Sequence, residues 1–254
     1  MLEIHQIPIL SDNYVYLVID KITRKSACID PGVADPVNDL LEKLKINLDY
    51  ILSTHHHNDH VGANLDLKKK HNCKIVGNFY DKERIPGIDI FLKDGDYFKL
   101  GESECKVLEV SGHTIGHIAY YFINENFLFC GDTLFSLGCG RLFEGTPEDM
   151  VKSLSKIRDL PDKTKIFCGH EYTLSNAMFV KKLEPKNKFL EIKIEEIKKK
   201  REENKPTIPS ILGEEKKFNP FLKFDDNIFL EKIGIKNQSI VESLKILRQM
   251  KDEF

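Results

Sequence analysis

The chain has 254 residues, 41% of them hydrophobic and 31% charged, a globular profile with room for one large core or for a core domain and a smaller companion. No apolar run approaches the roughly 20 residues that cross a bilayer. With 38 basic against 40 acidic side chains the net charge is −2, which gives no global attraction to nucleic acid or to an anionic membrane, so any anion site must be local.

The opening stretch MLEIHQIPILSDNYVYLVID carries no basic segment ahead of its apolar part, so it does not read as a targeting signal and the expected location is cytoplasmic. Within it NYVYLVID (13–20) reads as a strand and SACID (26–30) as its neighbour, stopped by the turn Asp30-Pro31-Gly32. PVNDLLEKLK (36–45) then has helical apolar spacing. Four later strands share one property. YILST (50–54) runs into HHHNDH, CKVLEV (105–110) into SGHTIGH, FLFC (127–130) into GDT, and KIFC (165–168) into GHEYT. Each delivers a metal-type side chain at its C-terminal end, where a rigid scaffold holds functional groups in α/β enzymes.

After residue 172 the strand signals fade. Segments 174–183, 187–205 and 239–254 read as helices punctuated by Pro185, Pro206, Pro209 and Pro220. The expected organisation is a strand-rich domain over 1–172 and an all-helical domain over 173–254. The run KKKREE (198–203) reads as a solvated helix face. The six cysteines form no C-x-x-C pair and read as small buried hydrophobes.

In HHHNDH, His55 and His57 lie two apart, so in an extended loop their side chains leave on one side while His56 points the other way. Asp59 and His60 follow. Adding His113, Asp132 and His170 gives seven candidate ligands, five imidazoles and two carboxylates. One tetrahedral ion needs about four, so the set suits two divalent ions sharing a carboxylate and a water. Imidazole with carboxylate fits zinc, iron or manganese, and the set does not choose among them. His56 reads as a spare and His117 as a packing residue or a support for a ligand, although H-x-x-x-H permits either of His113 and His117 to bind.

T-H-H-H-N-D-H (54–60), followed by GHTIGH, GDTLF and GHEYT in order, resembles the metallo-β-lactamase superfamily. CGDTLFSLGCGRLFEGT (130–146), CGHEYTLSNAMF (168–179), EPKNK (184–188), PTIPS (206–210), NPF (219–221) and the terminal RQMKDEF are similar to the glyoxalase II family within it. The resemblance implies an α+β chain: an αββα sandwich with a smaller C-terminal all-helical domain that binds glutathione. It implies one metal on His55, His57 and His113, a second on Asp59, His60 and His170, and Asp132 bridging, with zinc foremost.

For the glutathione carboxylates and backbone it points to Arg141, Tyr172, Arg248 and Lys251, since guanidinium and ammonium groups pair with carboxylates. Phe143 stands where the family often has tyrosine, and Arg141 where it often has lysine. The implied reaction is hydrolysis of S-D-lactoylglutathione to D-lactate and glutathione, a step of methylglyoxal detoxification. The implied partner is this small-molecule thioester, with no nucleic acid or membrane, and a monomer or weak oligomer is expected. A mononuclear-iron persulfide dioxygenase and a non-enzymatic metal-binding module are the alternatives.

Overall fold

The computed structural model describes residues 1–254, and the chain divides into two compact units. The first comprises Met1–Glu109 with Thr114–Gly131, the second Val110–His113 with Asp132–Phe254.

In the first unit β1 (Leu2–Ile9), β2 (Asn13–Asp20) and β3 (Ser26–Ile29) are antiparallel neighbours. Parallel strands β4 (Tyr50–Leu52), β5 (Lys74–Asn78) and β6 (Ile90–Leu92) extend the sheet from β3. Every residue of β2 is buried, because both faces of its sheet are covered. Val15, Leu17 and Ile19 pack with Val37 and Leu41 of α1 (Asp35–Leu44) and Leu67 of α3 (Asn64–His71). On the opposite face Tyr16 meets Phe129 edge-on, ring centroids 5.4 Å apart. Each such aliphatic side chain contributes about 1.5–3 kcal/mol on burial.

Phe129 belongs to a second sheet in the same unit, an antiparallel meander of β7 (Tyr97–Leu100), β8 (Ser103–Glu109), β9 (Ile118–Phe122) and β10 (Phe127–Gly131). Tyr50 against Phe98 and the Tyr120 hydroxyl donating to the Ser53 carbonyl at 2.9 Å tie the two sheets face to face. The strands expected at 13–20, 26–30, 50–54, 105–110 and 127–130, and the helix at 36–45, lie where the pattern put them, within about two residues at their ends.

The second unit holds the hairpin β11 (Leu134–Phe135) and β12 (Gly138–Cys139), then α4 (Pro147–Arg158), β13 (Lys165–Cys168), α5 (Thr173–Leu183), α6 (Lys188–Glu202), α7 (Leu212–Phe218), α8 (Asn227–Lys232) and α9 (Ile240–Asp252). A two-residue strand, β14 (Ser210–Ile211), pairs with β13, so the segment after residue 172 is helical apart from this one short strand. Asn187 and Ser239 accept hydrogen bonds from Leu190 and Glu242 backbone N–H groups and so cap α6 and α9. Ala177 and Val180 of α5 pack with Leu190, Ile194 and Ile197 of α6 around Leu137.

All six cysteines are buried and unbridged. Burial pushes the thiols of Cys73 and Cys139 up to about 11, which keeps them protonated and inert at neutral pH.

Candidate metal centre

Each unit carries its own group of imidazoles and carboxylates, and each set is described by itself. In the first unit the chain leaves β4 at Leu52 and turns through Thr54–His57 into the short helix α2 (Asn58–Val61). His55 is wholly buried, and its Nε2 lies 3.1 Å from Nδ1 of His57. Two ring nitrogens this close on one side of the turn suit a shared cation. His60 is buried as well, its Nε2 3.3 Å from Oδ2 of Asp59. Asn13 donates to that same Asp59 oxygen at 2.8 Å.

Asp30, a turn residue by its Asp-Pro-Gly setting, also belongs to this cluster. It follows β3, has a left-handed backbone (φ 53°) and is buried. Its carboxylate accepts from the Thr54 backbone N–H and hydroxyl, both at 2.7 Å, and faces His60 Nδ1 at 3.2 Å. With Nδ1 held as a donor, the lone pair of His60 lies on Nε2, the nitrogen nearest Asp59. The strand-end rule applied to β3 is the signal that finds Asp30. Gly32, two residues on, is required by close approach: a Cβ there would lie 2.1 Å from the Asp59 carbonyl oxygen.

His56 and His117 stand apart in role. The ring nitrogens of His56 face Asp81 Oδ2 at 3.4 Å and an Arg84 amino group at 3.5 Å. His117 is fully buried, stacks on His55 at 4.6 Å, and places Nδ1 3.1 Å from the Ile118 carbonyl.

In the second unit Asp132 Oδ2 lies 3.2 Å from His170 Nε2 and 3.5 Å from His113 Nε2. All three residues are buried. Nδ1 of His113 donates to the Arg141 carbonyl at 2.9 Å, which again assigns the lone pair to Nε2. The loop carrying Arg141 is fixed by backbone bonds, Phe143 N–H to His113 and Gly145 N–H to Gly112. Gly140 has no room for a side chain, since a Cβ would lie 1.9 Å from the Asp132 carbonyl oxygen. One carboxylate oxygen facing a ring nitrogen of each of two imidazoles gathers donors of the kind that hold a divalent metal, so these residues fit one.

Beside this triad Tyr172 stacks flat on His170 (4.7 Å, 6° between planes), and Phe143 meets His113 edge-on at 5.1 Å while staying exposed. Arg141, largely exposed, and Arg248, buried, converge on one carboxylate: Asp252 forms an ion pair with Arg141 Nε at 3.3 Å and accepts from Arg248 at 3.0 Å. Arg248 also donates to the Cys139 carbonyl at 2.8 Å and lies over the Phe221 ring. Lys251 sits over the rings of Phe179 and Phe254. Burial, then the neighbouring Arg248 and Arg141, lower its pKa to about 8.

Two family models cover most of the chain: the metallo-beta-lactamase superfamily at residues 10–170 and the hydroxyacylglutathione hydrolase C-terminus at residues 171–254. A hydroxyacylglutathione hydrolase of Methylococcus capsulatus is 48% identical over 254 residues, spanning 100% of this chain and 99% of the relative. One of Rhodospirillum rubrum is 46% identical over 253 residues, again 100% of this chain and 99% of the relative.

Among solved structures, ETHE1 from Myxococcus xanthus superposes with a TM-score of 0.67 at 23% identity, over 99% of this chain and 100% of that one. BLEG-1 B3 metallo-beta-lactamase gives 0.66 at 22% identity, over 87% and 99%. TTHA1623 in a di-iron-bound form gives 0.56 at 26% identity, over 66% and 91%. The fold is thus that of the metallo-β-lactamases, mixed α/β sheets followed by a C-terminal helical region. End-to-end likeness to the two hydrolases, with both family models matched in sequence order, makes the chain a member of the hydroxyacylglutathione hydrolase family of the metallo-β-lactamase superfamily.

Proposed function

We propose that this chain is a thioester hydrolase that cleaves S-D-lactoylglutathione, and related 2-hydroxyacylglutathiones, to the hydroxy acid and glutathione in the cytoplasm. The observation that carries the reading is the full-length identity with hydroxyacylglutathione hydrolases, the helical region included. The same match favours hydrolysis over a persulfide dioxygenase or a non-enzymatic metal-binding module. A division at 172/173 between a catalytic and a glutathione-binding domain goes with it.

His55, His57 and His113 would hold one divalent ion and Asp59, His60 and His170 the other, with Asp132 shared between them. Support comes from the donor chemistry within each unit: paired nitrogens of His55 and His57, the His60–Asp59 pair, and Asp132 between His113 and His170. Zinc is the first choice, with iron or manganese also suited to imidazole and carboxylate. When bound, such ions supply a hydrolytic nucleophile at neutral pH and a Lewis acid for the thioester carbonyl.

The protein's own work is positioning. Asp30 and the Arg141 carbonyl hold His60 and His113 in one tautomer each. Arg141, Lys251, Tyr172 and Arg248 would take the glutathione carboxylates and backbone, with Phe143 offering an apolar face. Glutathione departs as a thiolate, whose conjugate-acid pKa near that of cysteine asks little of a general acid.

The test is metal analysis joined to a free-thiol assay on S-D-lactoylglutathione. About two ions per chain and stoichiometric thiol release are expected, and His57→Ala or Asp132→Ala should lose both. A metal-replete chain that releases no thiol would overturn the hydrolase reading.

A further inference from the structure

Asp81 is a fully buried carboxylate that the proposed reaction does not use. It ends the 3-10 turn Phe79–Asp81 that follows β5. A buried charge is tolerated only when its partners surround it, and here they are specific. Arg84 grips Oδ1 with Nε at 3.0 Å and with Nη2, while His56 Nδ1 stands 3.4 Å from Oδ2. An Arg84 amino group reaches the other His56 nitrogen at 3.5 Å, which closes a three-residue ring of close contacts whose His56–Asp81 edge is electrostatic. His56 is the residue between His55 and His57, so the ring fixes the middle of the metal loop from behind.

The same corner holds a second turn. Asn78 donates to the Gly116 carbonyl at 2.9 Å, and its own carbonyl oxygen takes the Tyr80 N–H at 3.0 Å. Asp81 lies so close to Gly116 that a Cβ there would be 2.1 Å from Oδ1. The next residue, His117, is the ring that stacks on His55. One buried carboxylate therefore bears on His55 from two sides, through His56 in sequence and through Gly116 and His117 in space. A surface Arg–Asp pair at i, i+3 would need neither contact.

We infer that Asp81, with Arg84 and His56, is a positioning clamp that sets the metal affinity of the 55–60 loop without touching the metal. This rests on the metal-dependent reading above. Supporting groups behind imidazole ligands are worth about 10–100-fold in metal affinity, and that is the effect expected here.

The experiment is chelator competition on the metal-loaded protein, compared for wild type, Asp81→Asn and His56→Phe. Cobalt(II) absorption spectra and the unfolding temperature of the metal-free forms are recorded alongside. Each variant should still take up two ions at saturation, release them to chelator at about 10–100-fold lower competing strength, and show a shifted cobalt spectrum, while the metal-free His56→Phe form, which keeps the Asp81–Arg84 pair, unfolds near the wild-type temperature. The double variant should be no weaker than Asp81→Asn alone, because both changes break one ring. If Asp81→Asn does not fold, His56→Phe decides. Two ions in the wild type with unchanged affinity in the folded variants would sink the clamp alone; a wild type that takes up no metal would sink the metal reading and the clamp together.

Discussion

Asp30 and the carbonyl of Arg141 act alike: each faces Nδ1 of an imidazole, His60 at 3.2 Å and His113 at 2.9 Å, and so turns Nε2 toward a carboxylate. The carbonyl is part of the chain, whereas Asp30 can be replaced. Asp30→Asn keeps the shape but loses the charge that favours the Nδ1–H tautomer, so metal affinity should fall about 10–100-fold, measured by chelator competition. An unchanged affinity would show that the Thr54 contacts alone hold the loop. Lys251 offers a test in pH. Its pKa is lowered to about 8 by burial and by Arg248 and Arg141, so the ammonium is present below that pH and lost above it. With Lys251 proposed to pair with a glutathione carboxylate, kcat/KM for a glutathione thioester should decline as pH rises through about 8. Lys251→Arg, which stays charged, should move that decline to higher pH. A decline left in place by the arginine would assign it to another group.

The candidate ligands follow strands rather than lie within them, and Gly32 and Gly140 in the turns beside them leave no room for a Cβ. Gly140→Ala would press a methyl group against the Asp132 carbonyl oxygen, so the loop must shift and both metal content and turnover should drop together; normal values for both would show that the loop yields freely. The capping box of α4, Thr146 with Asp149, has a different reach. Thr146→Ala should cost about 1 kcal/mol, lowering the unfolding temperature by a few degrees with kcat unchanged. These elements also show what a sequence can and cannot disclose. Strands β2, β4, β8, β10 and β13 were legible because apolar runs end in turn residues, and the ligand turns because His and Asp cluster at those ends. The hairpin β11–β12 and the strand β14 were not, since a two-residue strand has no period to read. Asp30 was masked by its Asp-Pro-Gly setting, which turn chemistry alone explains. The partners of His56 lie in a different turn, and only folding brings Asp81 and Arg84 to it.

Across the whole molecule basic and acidic side chains nearly cancel, at 38 against 40, so the protein's overall field does little to draw in a substrate with two carboxylates and one ammonium. The proposed recognition of glutathione rests instead on a few cations gathered in the second unit, Arg141, Arg248 and Lys251, of which Arg141 is the most exposed. Two of these already share Asp252, which keeps the guanidinium groups close without a ligand. Short-range pairs at an accessible surface are screened by salt over a Debye length of about 8 Å at physiological ionic strength. Raising salt should therefore increase KM while leaving kcat almost unchanged, because the screened pairs are proposed to bind the glutathione carboxylates and take no part in the bond cleavage. Arg141→Ala should raise KM at low salt and flatten its dependence on salt, as one of the screened contacts is gone. Steady-state kinetics over a salt series on both proteins would check this: a KM independent of salt in the parent chain would remove these cations from substrate recognition, and an equal fall in kcat would place them at the chemical step instead.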